Sequence, residues 1–235
     1  MKNLNIFSLV TEYENAKSGG VLNVPNVSFV DEDSSVRYLL KNIPTNNGYE
    51  YVDLGLPSGL KWATCNVGAS SPEQAGLYFT WGETTGYTVE QVNSRERSFN
   101  DLEYNSGPAA SISTDLTLEY DAAHVNMGGN WRIPTKAEYQ ELLDNCDVVF
   151  TYDYNGTEVG SVFTSKVNSN SLFLPAAGFV DSSSVYEASA NGIYWSASWS
   201  SSSEAWFLDF NYGSPVMNYN DKSRWQGLSV RGVCE

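Results

Sequence analysis

The residue types that most often carry catalysis are sparse in this chain. His124 is the only histidine, which excludes a site that needs two imidazoles, as most catalytic zinc sites do. The cysteines Cys65, Cys146 and Cys234 form no CxxC pair, which argues against structural zinc and thioredoxin-like redox chemistry. The serine run 200–203 has no histidine near it in the sequence, so a Ser–His nucleophile is not expected. These observations favour a protein that is not an enzyme and that uses no cofactor.

A calcium site is the next alternative. Calcium takes about six to eight oxygen ligands, supplied mostly by carboxylates, carbonyls and side-chain amides. The nearest candidate string is Asn218-Tyr219-Asn220-Asp221, and a turn is the commoner explanation of such an Asn/Asp cluster. The sequence therefore predicts no metal site, although calcium at this string stays open.

Residues 191–226 have a composition typical of binding surfaces. Of these 36 residues, 19 are Ser, Asn, Tyr or Trp, and four of the seven tryptophans lie among them. Tyr and Trp offer wide, rigid contact area, and Ser and Asn offer adaptable hydrogen bonds. Trp195 and Trp206 lie in strand-like runs, and at least one of them is expected in the core. The candidate ligand-binding residues are those expected in loops: Trp199, Asn211, Tyr212, Asn218, Tyr219, Asn220 and Trp225.

Charge excludes two further classes of partner. The 235 residues carry 13 basic and 28 acidic side chains, a formal charge of 13 − 28 = −15. Nucleic-acid binding needs clustered Lys and Arg, and an anionic membrane surface attracts basic segments; neither is expected here. No apolar run approaches the roughly 20 residues that span a bilayer. Glu12 and Glu14 stand where a signal peptide would have its cleavage site, so the beginning is interpreted as mature sequence.

From residue 49 onward, the pattern predicts mainly short strands. Strand-like segments are expected at 49–56, 60–68, 77–84, 148–156, 160–166, 171–180, 192–199, 204–210, 215–219 and 227–234. Residues 130–146 predict a helix, because Thr135 and Glu138 form a capping box ahead of the apolar positions 139, 142 and 143. Residues 83–125 look loop-like, with a weak helical signal near their end. This combination predicts an α+β domain of mainly antiparallel sheet.

Residues 1–48 differ from the remainder. Residues 8–17 are compatible with a short helix that ends at Gly19-Gly20. The runs 21–30 and 34–40 flank an acidic turn and predict a hairpin, and 43–48 reads as a linker. A segment this small does not hold a core of its own. It is expected to pack on the main domain or on another chain.

Five blocks carry a resemblance to a known family: 51–69, 78–84, 128–143, 194–213 and 229–235. In this order they resemble the FISUMP-type major paralogous domain of gut Bacteroidetes and their phages. That domain is similar to C-type-lectin-like folds, including the formylglycine-generating enzyme and retroelement-diversified phage receptor binders. The resemblance implies a C-type-lectin-like domain over 49–235 whose C-terminal stretch carries the ligand-binding face.

The same resemblance bears on the cysteines. The formylglycine-generating enzyme binds copper through two cysteines near its C-terminus, whereas here Ser229 stands five positions before Cys234, so an enzyme of that kind is a distant alternative. In this fold, Cys65 and Cys234 would lie in neighbouring strands. They are expected to be buried thiols or, outside the cell, a disulfide.

Residues 22–38 carry a second resemblance, to N-terminal attachment segments of structural proteins in crAss-like phages, particularly head-fibre proteins. It implies a virion protein, a head or tail fibre component that forms a homotrimer. Residues 1–48 would contact capsid or other virion proteins, and 49–235 would bind glycans or proteins on the host surface or in mucus. The alternatives are a bacterial surface or secreted lectin-like adhesin and a decorative capsid domain without a ligand.

Overall fold

A computed structural model describes residues 27–32, 35–40, 44–96, 98–99, 111–156, 158–213, 215–218 and 222–235, the first two ranges as backbone only. The chain divides into two units, Met1–Pro44 and Thr45–Glu235. The sequence places this boundary after residue 48, because the Asn-Gly pair is read there as part of a linker.

The first unit contains the predicted hairpin. Strand β1, Val27–Glu32, pairs antiparallel with β2, Ser35–Leu40, in a register that sets Val27 opposite Leu40 and Glu32 opposite Ser35. The hairpin prediction is therefore confirmed. The helix predicted over 8–17 lies outside the described residues.

The predicted linker is instead part of the second unit. Asn47 and Gly48 have φ angles of 47° and 83° and join β3, Thr45–Asn46, to β4, Tyr49–Asp53. A two-residue hairpin turn requires positive φ at both positions, which Asn-Gly adopts readily. The Trp131 indole N–H donates to the Asn46 carbonyl at 2.9 Å. The linker prediction is wrong, because this Asn-Gly pair turns the chain back onto the main unit.

The second unit is an α+β domain in which the named strands pair antiparallel. A four-stranded sheet has the order β14-β5-β4-β3, with β5 Lys61–Asn66 and β14 Arg231–Cys234. A three-stranded sheet contains β6 Cys146–Tyr154, β7 Glu158–Ser165 and β8 Ser171–Pro175. Another contains β11 Gly192–Trp199, β12 Ala205–Phe210 and β13 Val216–Asn218. A small pair is formed by β9 Phe179–Asp181 and β10 Ser184–Tyr186.

Most of the predicted strand segments contain one of these strands. The exception is 77–84, where Phe79 and Leu228 exchange two main-chain hydrogen bonds of 3.0 Å in an isolated bridge. Tyr78 forms a second isolated bridge, with Tyr87. Because the segment forms only isolated bridges, it lies in the core as extended chain and not as a strand of a sheet.

The described residues of the second unit also form three α-helices: α1 Val89–Asn93, α2 Ala122–Met127 and α3 Lys136–Asn145. The predicted capping box of α3 is confirmed, because the Thr135 hydroxyl accepts from the Glu138 amide and the Glu138 carboxylate accepts from the Thr135 amide. The segment predicted as a loop holds α1, which has a second capping box of Thr88 and Gln91. It also holds the short 3-10 helix Leu118–Tyr120, next to α2.

The sheet β11–β13 is buried on both faces. Successive strand residues point to opposite sides, so Trp195 and Phe207 enter one core cluster and Leu208 and Phe210 enter another. Helix α2 contributes to the first cluster, and helix α3 contributes Tyr139 to the second. The expectation that Trp195 or Trp206 is buried is confirmed by Trp195, of which 1% is exposed.

A buried cation connects these sheets. The Arg231 side chain is fully buried and donates to the Asn66 amide oxygen at 3.0 Å and to the carbonyls of Ala63 at 2.8 Å and Phe173 at 3.1 Å. Asn66 in turn donates to the Tyr194 hydroxyl at 3.2 Å. Burial lowers the pKa of the Arg231 guanidinium from its ordinary value, but that value is so high that the group stays charged.

We expect Arg231→Lys to lower the free energy of unfolding by about 3 kcal/mol or more, because a single ammonium cannot reach three acceptors that the guanidinium fork holds. Urea denaturation followed by tryptophan fluorescence measures the effect. The matched control is Arg95→Lys at an exposed position, which should change stability by less than about 0.5 kcal/mol. Equal effects of the two substitutions would contradict this role for Arg231.

Candidate functional site

An open groove of about 470 Å³ lies between helix α3 and the strands β12 and β13. On the helix, positions 136, 140 and 143 are four and three residues apart, which places their side chains on one face. On the sheet, Trp206 is on the same side of β12 as Leu208, which packs in the core cluster with α3. The groove is lined by Lys136, Gln140, Leu143, Trp206, Pro215, Val216 and Met217.

Trp206 and Lys136 are in direct contact in this groove. The Lys136 ammonium lies 3.2 Å from the centroid of the Trp206 ring, a cation–π contact. Gln140 donates from its amide to Asp144 Oδ1 at 2.9 Å. The groove thus combines a half-buried indole, an ammonium, an amide and apolar side chains, a set that suits binding of a small polar ligand with apolar faces.

Exposed aromatic rings lie beside the strands that form the groove. Tyr212 is 79% exposed in the loop between β12 and β13, and Tyr152 is 62% exposed on β6. Their ring centroids are 6.4 Å apart at an interplanar angle of 33°, and the Phe150 ring is 5.2 Å from that of Tyr152. Three rings therefore form a row from β6 to the β12–β13 loop.

The structure divides the predicted ligand-binding residues. Asn211 and Tyr212 are exposed in the β12–β13 loop, where Asn211 Oδ1 accepts from the Gly213 amide at 2.7 Å. Asn218 is half-buried at the end of β13, and Tyr219 and Asn220 lie outside the described residues. Of the predicted loop residues, Asn211 and Tyr212 therefore lie on the surface beside the groove.

Trp199 and Trp225 are placed differently. Trp199 is half-buried against the first core cluster, and its main-chain amide donates to Asp115 Oδ1 at 2.8 Å. The Trp225 ring is half-buried, with the Arg224 guanidinium 4.9 Å from its centroid. Neither tryptophan lines the groove. These two predicted ligand-binding residues therefore lie outside it.

The sequence does not predict most of the groove lining. The strand pattern indicates Trp206 as a candidate core residue, and the helix pattern indicates Leu143 as part of an apolar face. The helical spacing of Lys136, Gln140 and Leu143 was a usable signal, because it defines one face of a helix whose cap was already recognised. The contribution of β13 to the groove had no such signal.

Two titratable residues away from the groove, Asp121 and His124, contact main-chain groups of the fold. The buried Asp121 carboxylate accepts from the main-chain amides of His124 at 2.9 Å and Ile133 at 2.8 Å, and burial raises its pKa. The His124 ring nitrogen Nδ1 lies 3.1 Å from the Trp131 carbonyl. Within the described ranges, no group of three or more His, Cys, Asp or Glu side chains could hold a metal ion.

The cysteines are free thiols. Strands β5 and β14 are neighbours as expected, but the register sets Cys234 opposite Lys61, four positions from Cys65. At about 3.3 Å per residue this offset is about 13 Å, well beyond the roughly 7 Å between Cα atoms that a disulfide spans. The disulfide alternative for Cys65 and Cys234 is therefore wrong in this structure; Cys234 is buried and Cys65 is half-buried.

Comparison with known proteins finds similarity to a family model. The family model of a domain of unknown function (DUF8237) matches residues 160–233, which begin in β7, end in β14 and include the sheet side of the groove. No curated protein and no solved structure matches the chain. Among the described residues, no helix is long and apolar enough to cross a membrane.

We expect three free thiols per chain after unfolding without reductant, measured with Ellman's reagent. In the native protein at pH 8, Cys146 and Cys234 should react very slowly, because burial raises the pKa of both thiols, that of Cys146 to about 11, and the thiolate is the reactive form. Cys65→Ser should reduce the count in the unfolded chain from three to two. A count of one thiol in the unfolded wild-type chain would contradict the structure.

Proposed function

We propose that this protein is a non-enzymatic phage virion component, a head or tail fibre protein that displays a C-type-lectin-like domain for binding glycans. The observation that carries the binding proposal is the groove of Trp206, Lys136 and Gln140 with the exposed Tyr152 and Tyr212 nearby. Aromatic faces pack on the apolar faces of sugar rings, and amide and ammonium groups donate to hydroxyls.

The architecture supports the lectin-like part of the proposal. The main unit combines short antiparallel strands with the well-capped helix α3, and its early strand β5 pairs with its last strand β14. The family resemblance implies that the strands of Cys65 and Cys234, near the beginning and the end of the domain, are neighbours. The pairing of β5 with β14 agrees with this. Fold alone does not decide function, so the glycan proposal depends on the groove.

The virion part of the proposal depends on the resemblance of residues 22–38 to phage attachment segments. Their backbone contains a two-stranded hairpin, a structure that is marginal by itself and gains stability from a partner. In the proposal this segment holds the protein on the particle, against capsid or other virion proteins, and joins three copies. The second candidate is a bacterial surface or secreted adhesin, which the same groove would serve equally well.

We expect the full chain to bind a subset of glycans on an array, and Trp206→Ala to weaken that binding at least about tenfold, because a half-buried aromatic contact contributes strongly to binding. Tyr212→Ala should weaken it less. The matched control is Tyr186→Ala, which removes an exposed ring from β10 outside the groove. Circular dichroism checks that the variants are folded. Binding that Trp206→Ala leaves unchanged, or that Tyr186→Ala lowers equally, would contradict this site.

Light scattering tests the fibre assembly. We expect the full chain to have three times the 25.9 kDa chain mass, and a chain that begins at Thr45 to be a monomer. The cut precedes Thr45 because the β3–β4 hairpin belongs to the main unit. A monomeric full chain would contradict the fibre proposal and favour the free-standing adhesin.

A further inference from the structure

The groove has a charge opposite in sign to that of the molecule. The chain carries a formal charge of −15, yet the lining residues include one cation, Lys136, and no acidic side chain. An anion approaching the surface generally meets repulsion, whereas at this groove it meets a positive group.

Lys136 differs from cations that ion pairs neutralise. Lys61 lies 2.7 Å from Asp53, and Arg132 lies 2.6 Å from Glu138. Within the part of the chain that the structure describes, Lys136 has no carboxylate within 4 Å, and its ammonium lies on the Trp206 ring. An aromatic face attracts a cation without cancelling its charge.

The acidic residues of α3 are engaged with other groups, and Glu141 accepts from the Ser58 amide at 2.9 Å. Glu138 accepts two hydrogen bonds from the Arg132 guanidinium, at 2.8 and 2.6 Å, and caps the helix. Asp144, two turns along, accepts from Gln140. Lys136 is also the first residue of α3, where the helix dipole adds positive potential.

From this arrangement we infer that the groove binds an acidic sugar, whose carboxylate or sulfate pairs with the Lys136 ammonium over Trp206 while its ring lies against the neighbouring apolar lining. The inference rests on the proposed glycan-binding function and names the ligand class. Carboxylate and sulfate present the same anionic oxygens to an ammonium, which acts as a point charge. The groove volume of about 470 Å³ lies in the range of about 300–1,000 Å³ that is typical of small-ligand sites.

The experiment measures binding of the full chain to acidic glycans and their neutral counterparts. Lactose, 3′-sulfolactose and 3′-sialyllactose form one set, and galacturonic acid oligomers with their carboxyl-reduced products form another. We expect at least one acidic member to bind about tenfold or more tightly than its neutral counterpart, the effect of one charge-assisted hydrogen bond. Comparison of 3′-sulfolactose with the two kinds of carboxylate distinguishes sulfate from carboxylate.

Substitutions then assign the preference to one side chain. Lys136→Gln should lower the affinity for acidic members about tenfold more than the affinity for neutral ones, which removes the preference, and Lys136→Arg should retain the preference. The matched control is Lys222→Gln, because Lys222 also lies over an aromatic ring, 4.2 Å from the Phe179 centroid, but does not line the groove.

Each outcome decides between the two proposals. Equal binding of neutral and acidic members, or a preference that Lys136→Gln leaves intact, overturns the acidic-sugar inference while the glycan-binding function stands. Binding to no member of either set overturns the acidic-sugar inference, and absence of binding on the glycan array as well overturns both. A preference that Lys136→Gln removes and Lys222→Gln retains supports both.

Discussion

The fold of the main unit depends on satisfying one buried charge. The Arg231 guanidinium supplies buried hydrogen bonds that join two of the small sheets of this domain. Its acceptors lie on β5 and β8, and Asn66 extends the network to Tyr194 on β11. A buried cation is tolerated only where its donors have partners. The strands that provide those partners are therefore held in fixed relative positions, and the core packs around them.

The location of the groove follows from how the sheet β11–β13 is covered. Helix α3 covers Leu208 and Phe210 on one face with Tyr139 and Leu142. Trp206 is two residues earlier on the same face of β12, beside the first turn of the helix, where this covering ends and the ring stays half-buried. The groove is thus the margin of a core. Its helix and sheet walls are held by packing, which suits a site that must keep its shape.

Local chemistry explains which features the sequence could predict. The Thr135–Glu138 capping box and the alternating strands involve residues close together in the chain, and the structure contains both. Asn47-Gly48 was misjudged because the same pair serves loops and hairpin turns, and only the pairing of β3 with β4 distinguishes them. The Thr88–Gln91 capping box was not predicted, because it lies in a polar segment that looks loop-like. The disulfide alternative failed because the order of strands does not fix their register.

The candidate site was harder to predict, because exposure of an aromatic ring depends on what covers it. Alternation places Trp206 and Leu208 on one face of β12, but it does not show where helix α3 stops covering that face. Trp199 ends a predicted strand and Trp225 has loop-like sequence surroundings, and tertiary contacts leave both half-buried. The composition of 191–226 therefore indicated the correct part of the chain and a binding chemistry, while the walls came from α3 and β13.

The distribution of basic residues connects the fold to the site. Arg231 and Arg224 are buried, and Arg132 is paired with Glu138, so the fold uses several of the thirteen cations internally and leaves a surface dominated by acidic groups. Lys136 in the groove is an exception among these cations, because its ammonium contacts an indole ring and not a carboxylate. Trp206 thus holds a positive charge over its ring, within the groove.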